Sequence, residues 1–216
     1  MQASTSRVEA FSDGVMAIII TIMVLGLNLP AFNKDQTTSA ILDHVTDLIS
    51  YFSAYVVSFT MIGILWTNHH HLFHLLEKTN GYLLAQNLFF LFWMSLIPFG
   101  TGIMGSSPLL PVSTAFYGFI MFMTTLSFAF MRSYTIKKHL VHTDIQREIT
   151  KKIYKVSVRA RTMSYIAAGV YFLSIPLAFV SVYISYACFI IPIIFFILPD
   201  GIDNEKLGEK MIEKNS

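Results

Sequence analysis

Two short stretches hold the side chains capable of chemistry. In the first, Arg7, Glu9, Phe11, Ser12 and Asp13 run directly into the apolar segment Gly14 to Leu25. An ionisable group at the end of a membrane helix must pair or reach water, because hydrocarbon does not solvate charge. Arg7 is long enough to snorkel, but Asp13 is short and sits further in, so it requires a partner. The second stretch runs from Trp66 through Asn68, His69, His70 and His71 to Phe73 and His74. Trp66, His69 and Phe73 lie at i, i+3 and i+7 and share one helix face, near the depth of Asp13. The two stretches together predict a polar network in which Arg7, Ser12, Asp13, Trp66 and His69 satisfy one another and fix the first helix against the second. His70 and His74, at i and i+4, are also spaced to clasp a metal ion. A membrane metal enzyme needs several such clusters with carboxylates, and the only echo here is His139 with His142.

The elements that must position these groups are membrane helices. Of 216 residues, 54% are hydrophobic and only 13% charged, too apolar for one water-soluble globule. A bilayer core takes roughly 20 apolar helical residues per crossing. Six such runs are predicted: Arg7 to Pro30, Leu48 to Leu75, Tyr82 to Met104, Val112 to Arg132, Met163 to Val180 and Val182 to Leu198. Ser6 and Glu9 fit an S-x-x-E capping box that starts the first helix near Arg7. Pro98, Pro176 and Pro192 fall inside runs and are expected to kink them. Glu9 and Asp13 break the pattern of a cleaved signal peptide, so the first helix is expected to stay.

Six crossings put both termini on one side, and the cations agree. Of the fifteen Lys and Arg residues all but Lys34 fall on the side expected to be cytoplasmic, nine of them between Arg132 and Arg161. That basic stretch reads as a solvated loop that fixes topology, with anionic lipid headgroups as a second possibility. The fold class is therefore an all-α membrane protein, with residues 1–199 a six-helix transmembrane domain and 200–216 a polar cytoplasmic tail. Its one cysteine, Cys188, lies in an apolar run and reads as a packed thiol. Lipid is the expected surrounding, with no nucleic acid partner and no cofactor.

At about 100° per residue, Gly14, Ile18, Thr21, Leu25 and Asn28 form one narrow stripe on the first helix, and Asp13 points about 140° away from Ile18. Such a stripe can face lipid or a neighbouring helix, or, in a symmetric assembly, line a pore as stacked rings.

The R-x-x-x-F-S-D of Arg7, Phe11, Ser12 and Asp13, followed by the W-x-x-H-x-x-L-F of Trp66, His69, Leu72 and Phe73, resembles the signature of the transmembrane protein 175 family of potassium-permeable channels. The likeness is carried by the first two helices; later runs match in hydropathy. It implies a channel without the T-V-G-Y-G filter, a motif this sequence lacks, whose first helices line the conduction path. Members with one six-helix repeat are bacterial homotetramers, so a multi-pass protein of the bacterial inner membrane conducting potassium ions is implied, and not an enzyme. By position after the motif, the resemblance makes Ile18 the constricting pore residue, Thr21 a polar pore residue one turn on and Leu25 the next hydrophobic one. Asn28 continues their stripe. A secondary transporter is the alternative, though neither an inverted repeat nor a charged midplane site is found. A metal-dependent membrane enzyme and a scaffold that transports nothing rank below it.

Overall fold

The apolar runs are helical because a chain in hydrocarbon has only its own backbone to satisfy its N–H and C=O groups. The computed structural model describes residues 4–27, 38–76, 78–138, 140 and 147–197, with side chains for all but 38–47, 147–153 and 197. Regular structure among the described residues is entirely α-helical: α1 Thr5–Leu25, α2 Thr38–His74, α3 Gly81–Ser95, α4 Ile97–Ser106, α5 Pro111–Lys137, α6 Arg147–Ala178 and α7 Val182–Ile197. Four segments are long and apolar enough to cross a bilayer: Thr5–Leu25, Leu48–His74, Gly81–Ser106 and Pro111–Lys137. Shorter α7 is apolar over Val182–Phe196. The tail at 200–216, Asn28, Lys34, His139 and His142 lie outside the described residues.

Three expectations are corrected. The third run is two helices, because Pro98 has no N–H to offer the carbonyl of Met94. The chain breaks at Leu96, whose amide turns back to Trp93 O at 3.2 Å, and α4 restarts with Gly100 N–H on Leu96 O at 3.0 Å. The basic stretch is not one loop: helix α5 continues through Arg132 to Lys137, and α6 already begins at Arg147. The capping box does not form either. Helix α1 starts at Thr5 after Ser4, which makes no side-chain cap bond, and Glu9 is engaged elsewhere.

Helix α5 is the core. Two thirds of its spanning window (67%) is buried, against 28% for α1 and for α2, and it packs on α6, α3, α4 and α7. Close approach to α6 depends on Gly118, where a Cβ would meet Ser174 Oγ. Buried hydroxyls knit the layers: Tyr117 OH and Ser58 Oγ lie 2.9 Å apart, and Thr101 Oγ1 donates to the same Ser58 oxygen at 2.7 Å, joining α5, α2 and α4. Helix α1 packs on α2, α3 and α4 and is peripheral within the chain.

Candidate functional site: the first helix and its polar anchor

Helix α1 has two unlike faces. Val8, Ser12, Met16, Ile19 and Met23 are buried, a spacing that closes one stripe toward α2 and α3. The opposite side carries Ile18 at 58% exposure and Leu25 at 71%, with Thr21 and Gly14 exposed beside them. The Thr21 hydroxyl donates to its own helix, at 3.0 Å from both Ala17 O and Ile18 O. Its oxygen lone pairs thus stay available on the outward side. No Cβ contact surrounds Gly14 within 4 Å.

The buried face ends in directional bonds. Ser12 Oγ is wholly buried and donates to Val8 O at 2.9 Å, while accepting from Asn87 Nδ2 on α3 at 2.9 Å. With its amide nitrogen spent on Ser12, Asn87 faces His69 Nε2 with Oδ1, again at 2.9 Å. An amide oxygen only accepts, so Nε2 bears the imidazole proton and Nδ1 is left as a bare acceptor. That Nδ1 is buried and has no hydrogen-bond partner among the described residues. The His69 ring is held flat between Phe73 and Phe90, with centroids 4.3 and 5.9 Å away.

Beside this chain of bonds, Trp66 Nε1 donates to Asp13 Oδ1 at 3.0 Å, and His70 Nδ1 meets Glu9 Oε1 at 2.9 Å. The Trp66 and His70 rings stack at 6.0 Å. One turn of α2 therefore grips α1 twice directly and once through α3. The same turn is tied to the core by Arg132, which is 4% exposed. Its Nη1 donates to Ala160 O and Ser164 Oγ, both at 2.9 Å, and Nη2 to Asn68 Oδ1 at 3.1 Å, with the guanidinium 4.7 Å from the centre of the Phe128 ring. No carboxylate pairs with Arg132 among the described residues. Its charge is carried by neutral oxygens and an aromatic face.

The structure thus brings Ser12, Asp13, Trp66 and His69 together, but Arg7 and Phe11 stand apart. Arg7 is exposed and Phe11 is 54% exposed. On a helix, Arg7 projects about 140° from Ser12 and so lies on the side of Ile18, away from the bonded face. Asn87, the bond between Arg132 and Asn68 and the Glu9–His70 pair were not identified from sequence. The signal for Asn87 was there, an amide in the middle of an apolar run, although nothing local says which helix it faces. His69 and His70 are each committed to a partner on another helix, and among the described residues no three His, Cys, Asp or Glu side chains are grouped to hold a metal ion.

The arrangement has solved and curated counterparts. A potassium channel of Chryseobacterium sp. (strain P1-3) is 35% identical over 209 residues, which cover 97% of this chain and 98% of that one. The chain belongs to the TMEM175 family. The family profile described as endosomal/lysosomal potassium channel TMEM175 matches residues 7–98, the segment that holds α2, α3, nearly all of α1 and every hydrogen bond from α1 to another helix described above. A potassium channel of Chamaesiphon minutus is 31% identical over 90% of this chain and 94% of its own. The fold superposes with a TM-score of 0.75 on a crystal structure titled as a lysosomal potassium-selective channel TMEM175 homolog from the same organism, at 26% identity, covering 92% of this chain and 98% of that one. As a TMEM175-family chain with four segments long and apolar enough to cross a bilayer, it is a multi-pass membrane protein of the bacterial cell membrane.

Proposed function

We propose that this chain is one subunit of a homotetrameric potassium channel whose ion path is lined by the outward stripe of α1. The observation that carries the proposal is the division of labour on that helix: every described side-chain hydrogen bond to another helix is on one side, and Ile18, Thr21 and Leu25 are uncovered on the other. Support comes also from relatives named as potassium channels at 35% and 31% identity over nearly the whole chain. Six crossings place both termini in the cytoplasm, with residues 1–199 as the channel domain and 200–216 as a tail.

Around a fourfold axis, four Ile18 side chains form an apolar neck that dewets when narrow, so ions cross only when α1 helices part enough to hydrate it. Thr21 supplies a ring of hydroxyl oxygens one turn away, and Leu25 and Asn28 continue the path. Such a neck compensates lost hydration poorly. The ion that sheds water more cheaply, potassium rather than sodium, passes preferentially, and selectivity is modest. Ser12, Asp13, Trp66 and His69, together with Asn87, hold the helix from behind. The test is a gradient-driven flux assay in liposomes. Ile18→Asn is expected to raise potassium leak several-fold and to admit sodium; currents equal to those of the unmodified protein would remove Ile18 from the path.

A further inference from the structure

Helices α5 and α6 carry a feature that ion conduction through α1 does not use. On α6, Tyr154, Lys155, Arg159 and Thr162 are exposed, and at 100° per residue they fall in the same sector as exposed Tyr165, Ile166, Phe172 and Leu173. One outward stripe therefore changes from cationic to apolar within a single helix. Tyr165 marks the changeover: its hydroxyl lies 3.0 Å from Ser133 Oγ, and its ring meets Phe130 at 6.2 Å. An amphipathic ring with a wet hydroxyl and an apolar body belongs at the level of lipid headgroups.

The bonds of Arg132 to Ala160 and Ser164 fix the antiparallel register of the two helices. Five residues onward from Arg132 on α5 is Lys137, and five residues back from Ala160 on α6 is Lys155. Lys137, its neighbour Lys138 and Lys155 are all exposed and stand at one level, about 7 Å beyond Arg132 by helix rise. Neither 130–138 nor 154–178 contains an acidic residue.

We propose that this end of the α5–α6 pair binds the phosphate of an anionic phospholipid, with Lys137, Lys138 and Lys155 around the headgroup and the acyl chains along Ile166, Phe172 and Leu173. The occupant is fixed by charge and by continuity. Three cations with no carboxylate among the described residues of 130–138 and 154–178 match a phosphodiester, and the apolar stripe directly below matches the chains attached to it.

Cations near an anionic membrane surface contribute about fivefold each, roughly 1 kcal/mol, so three give on the order of 100-fold. The experiment titrates the purified full chain in detergent with phosphatidylglycerol or phosphatidylcholine and counts bound lipid by native mass spectrometry. Phosphatidylglycerol is expected to bind at least tenfold more tightly than phosphatidylcholine. Lys137→Gln/Lys138→Gln/Lys155→Gln is expected to lose at least tenfold of that binding, and Lys155→Gln alone about fivefold. The matching arginine triple retains it, and Lys206→Gln/Lys210→Gln/Lys214→Gln, which removes equal charge near the C-terminal end of the sequence, changes it less than twofold. Unchanged phosphatidylglycerol binding in the α5–α6 triple overturns the site, as does an equal loss in the 206/210/214 triple.

Discussion

Replacing Asn87 by Leu asks how much of the anchor is bonding and how much is packing. The side chain is fully buried and makes two hydrogen bonds, to His69 and to Ser12, each 2.9 Å long. Leucine has the same branched skeleton and is somewhat bulkier, so no cavity opens and the loss is chiefly polar. Ser12 keeps its bond to Val8 O. His69 does not fare as well. Its Nδ1 is already unpartnered among the described residues, and without Asn87 its Nε2–H becomes a buried orphan too. Stranding a buried donor costs about 1–3 kcal/mol, and interhelical bonds in membranes fall toward the low end of such values, about 0.6 kcal/mol each on average. A net loss of about 2 kcal/mol is expected. For a chain of this size that lowers the thermal midpoint by roughly 4–8 °C.

A second substitution separates bonding from packing. His69→Phe preserves a flat ring between Phe73 and Phe90 and removes both ring nitrogens. Alone it strands Asn87 Oδ1; combined with Asn87→Leu it leaves nothing unsatisfied, since replacing both partners by apolar groups of similar shape is nearly neutral. The double variant should therefore melt within about 2 °C of the unmodified protein. Midpoints are read by circular dichroism or by intrinsic fluorescence in detergent. If the double variant loses the sum of the two single losses, the pair is not coupled as the geometry requires, and packing rather than bonding holds α1.

Asp13→Asn keeps an oxygen for Trp66 Nε1 and should lower the midpoint less than Asp13→Ala, which removes the acceptor of a half-exposed indole and costs about 1 kcal/mol; equal midpoints would show that this bond carries no weight. Arg132→Gln should speed amide exchange in α6 around Ala160 and Ser164, at a net cost below about 3 kcal/mol because relief of an unpaired buried charge offsets lost bonds; unchanged exchange would show that the guanidinium does not hold α6. Gly118→Val should destabilise by about 1–3 kcal/mol through overpacking, as its Cβ meets Ser174 Oγ with Phe189 Cε1 at 3.5 Å behind; a variant with the original midpoint would show that α6 can move away.

What the sequence made legible was what a single helix decides for itself. Asp13 announces its need of a partner because it is a short carboxylate at a membrane helix end. The break in the third run is announced by Pro98, though the residue that absorbs it, Leu96, is not. Where a residue's partner on another helix competes with a local role, the sequence misleads. Glu9 fits a capping box three residues after Ser6, yet a tertiary partner, His70, outcompetes the local one. Arg132 opens a cation-rich stretch and so looks like a solvated loop charge. Because α5 runs one and a half turns beyond it, the side chain turns inward instead, where α2 and α6 supply oxygens. Periodicity places a residue on a face, but it does not say what that face meets.

The two halves of α1 are held by different kinds of force, and that difference bears on how such a helix moves. From Val8 to Asp13 the contacts are hydrogen bonds with fixed directions, at Glu9, Ser12 and Asp13. From Met16 to Met23 they are burial of two methionines and Ile19, with no hydrogen bond to another helix among the described residues. Rotation of α1 about its axis would break all the bonds at one end together, whereas a tilt about that end would shift only the flexible thioether contacts, which re-pack at small cost. A helix pinned in this way changes the spacing of its far half more readily than the direction its side chains face. If four such helices surround a pore, the neck at Ile18 widens by tilting, with Ile18, Thr21 and Leu25 still turned toward the axis in both states.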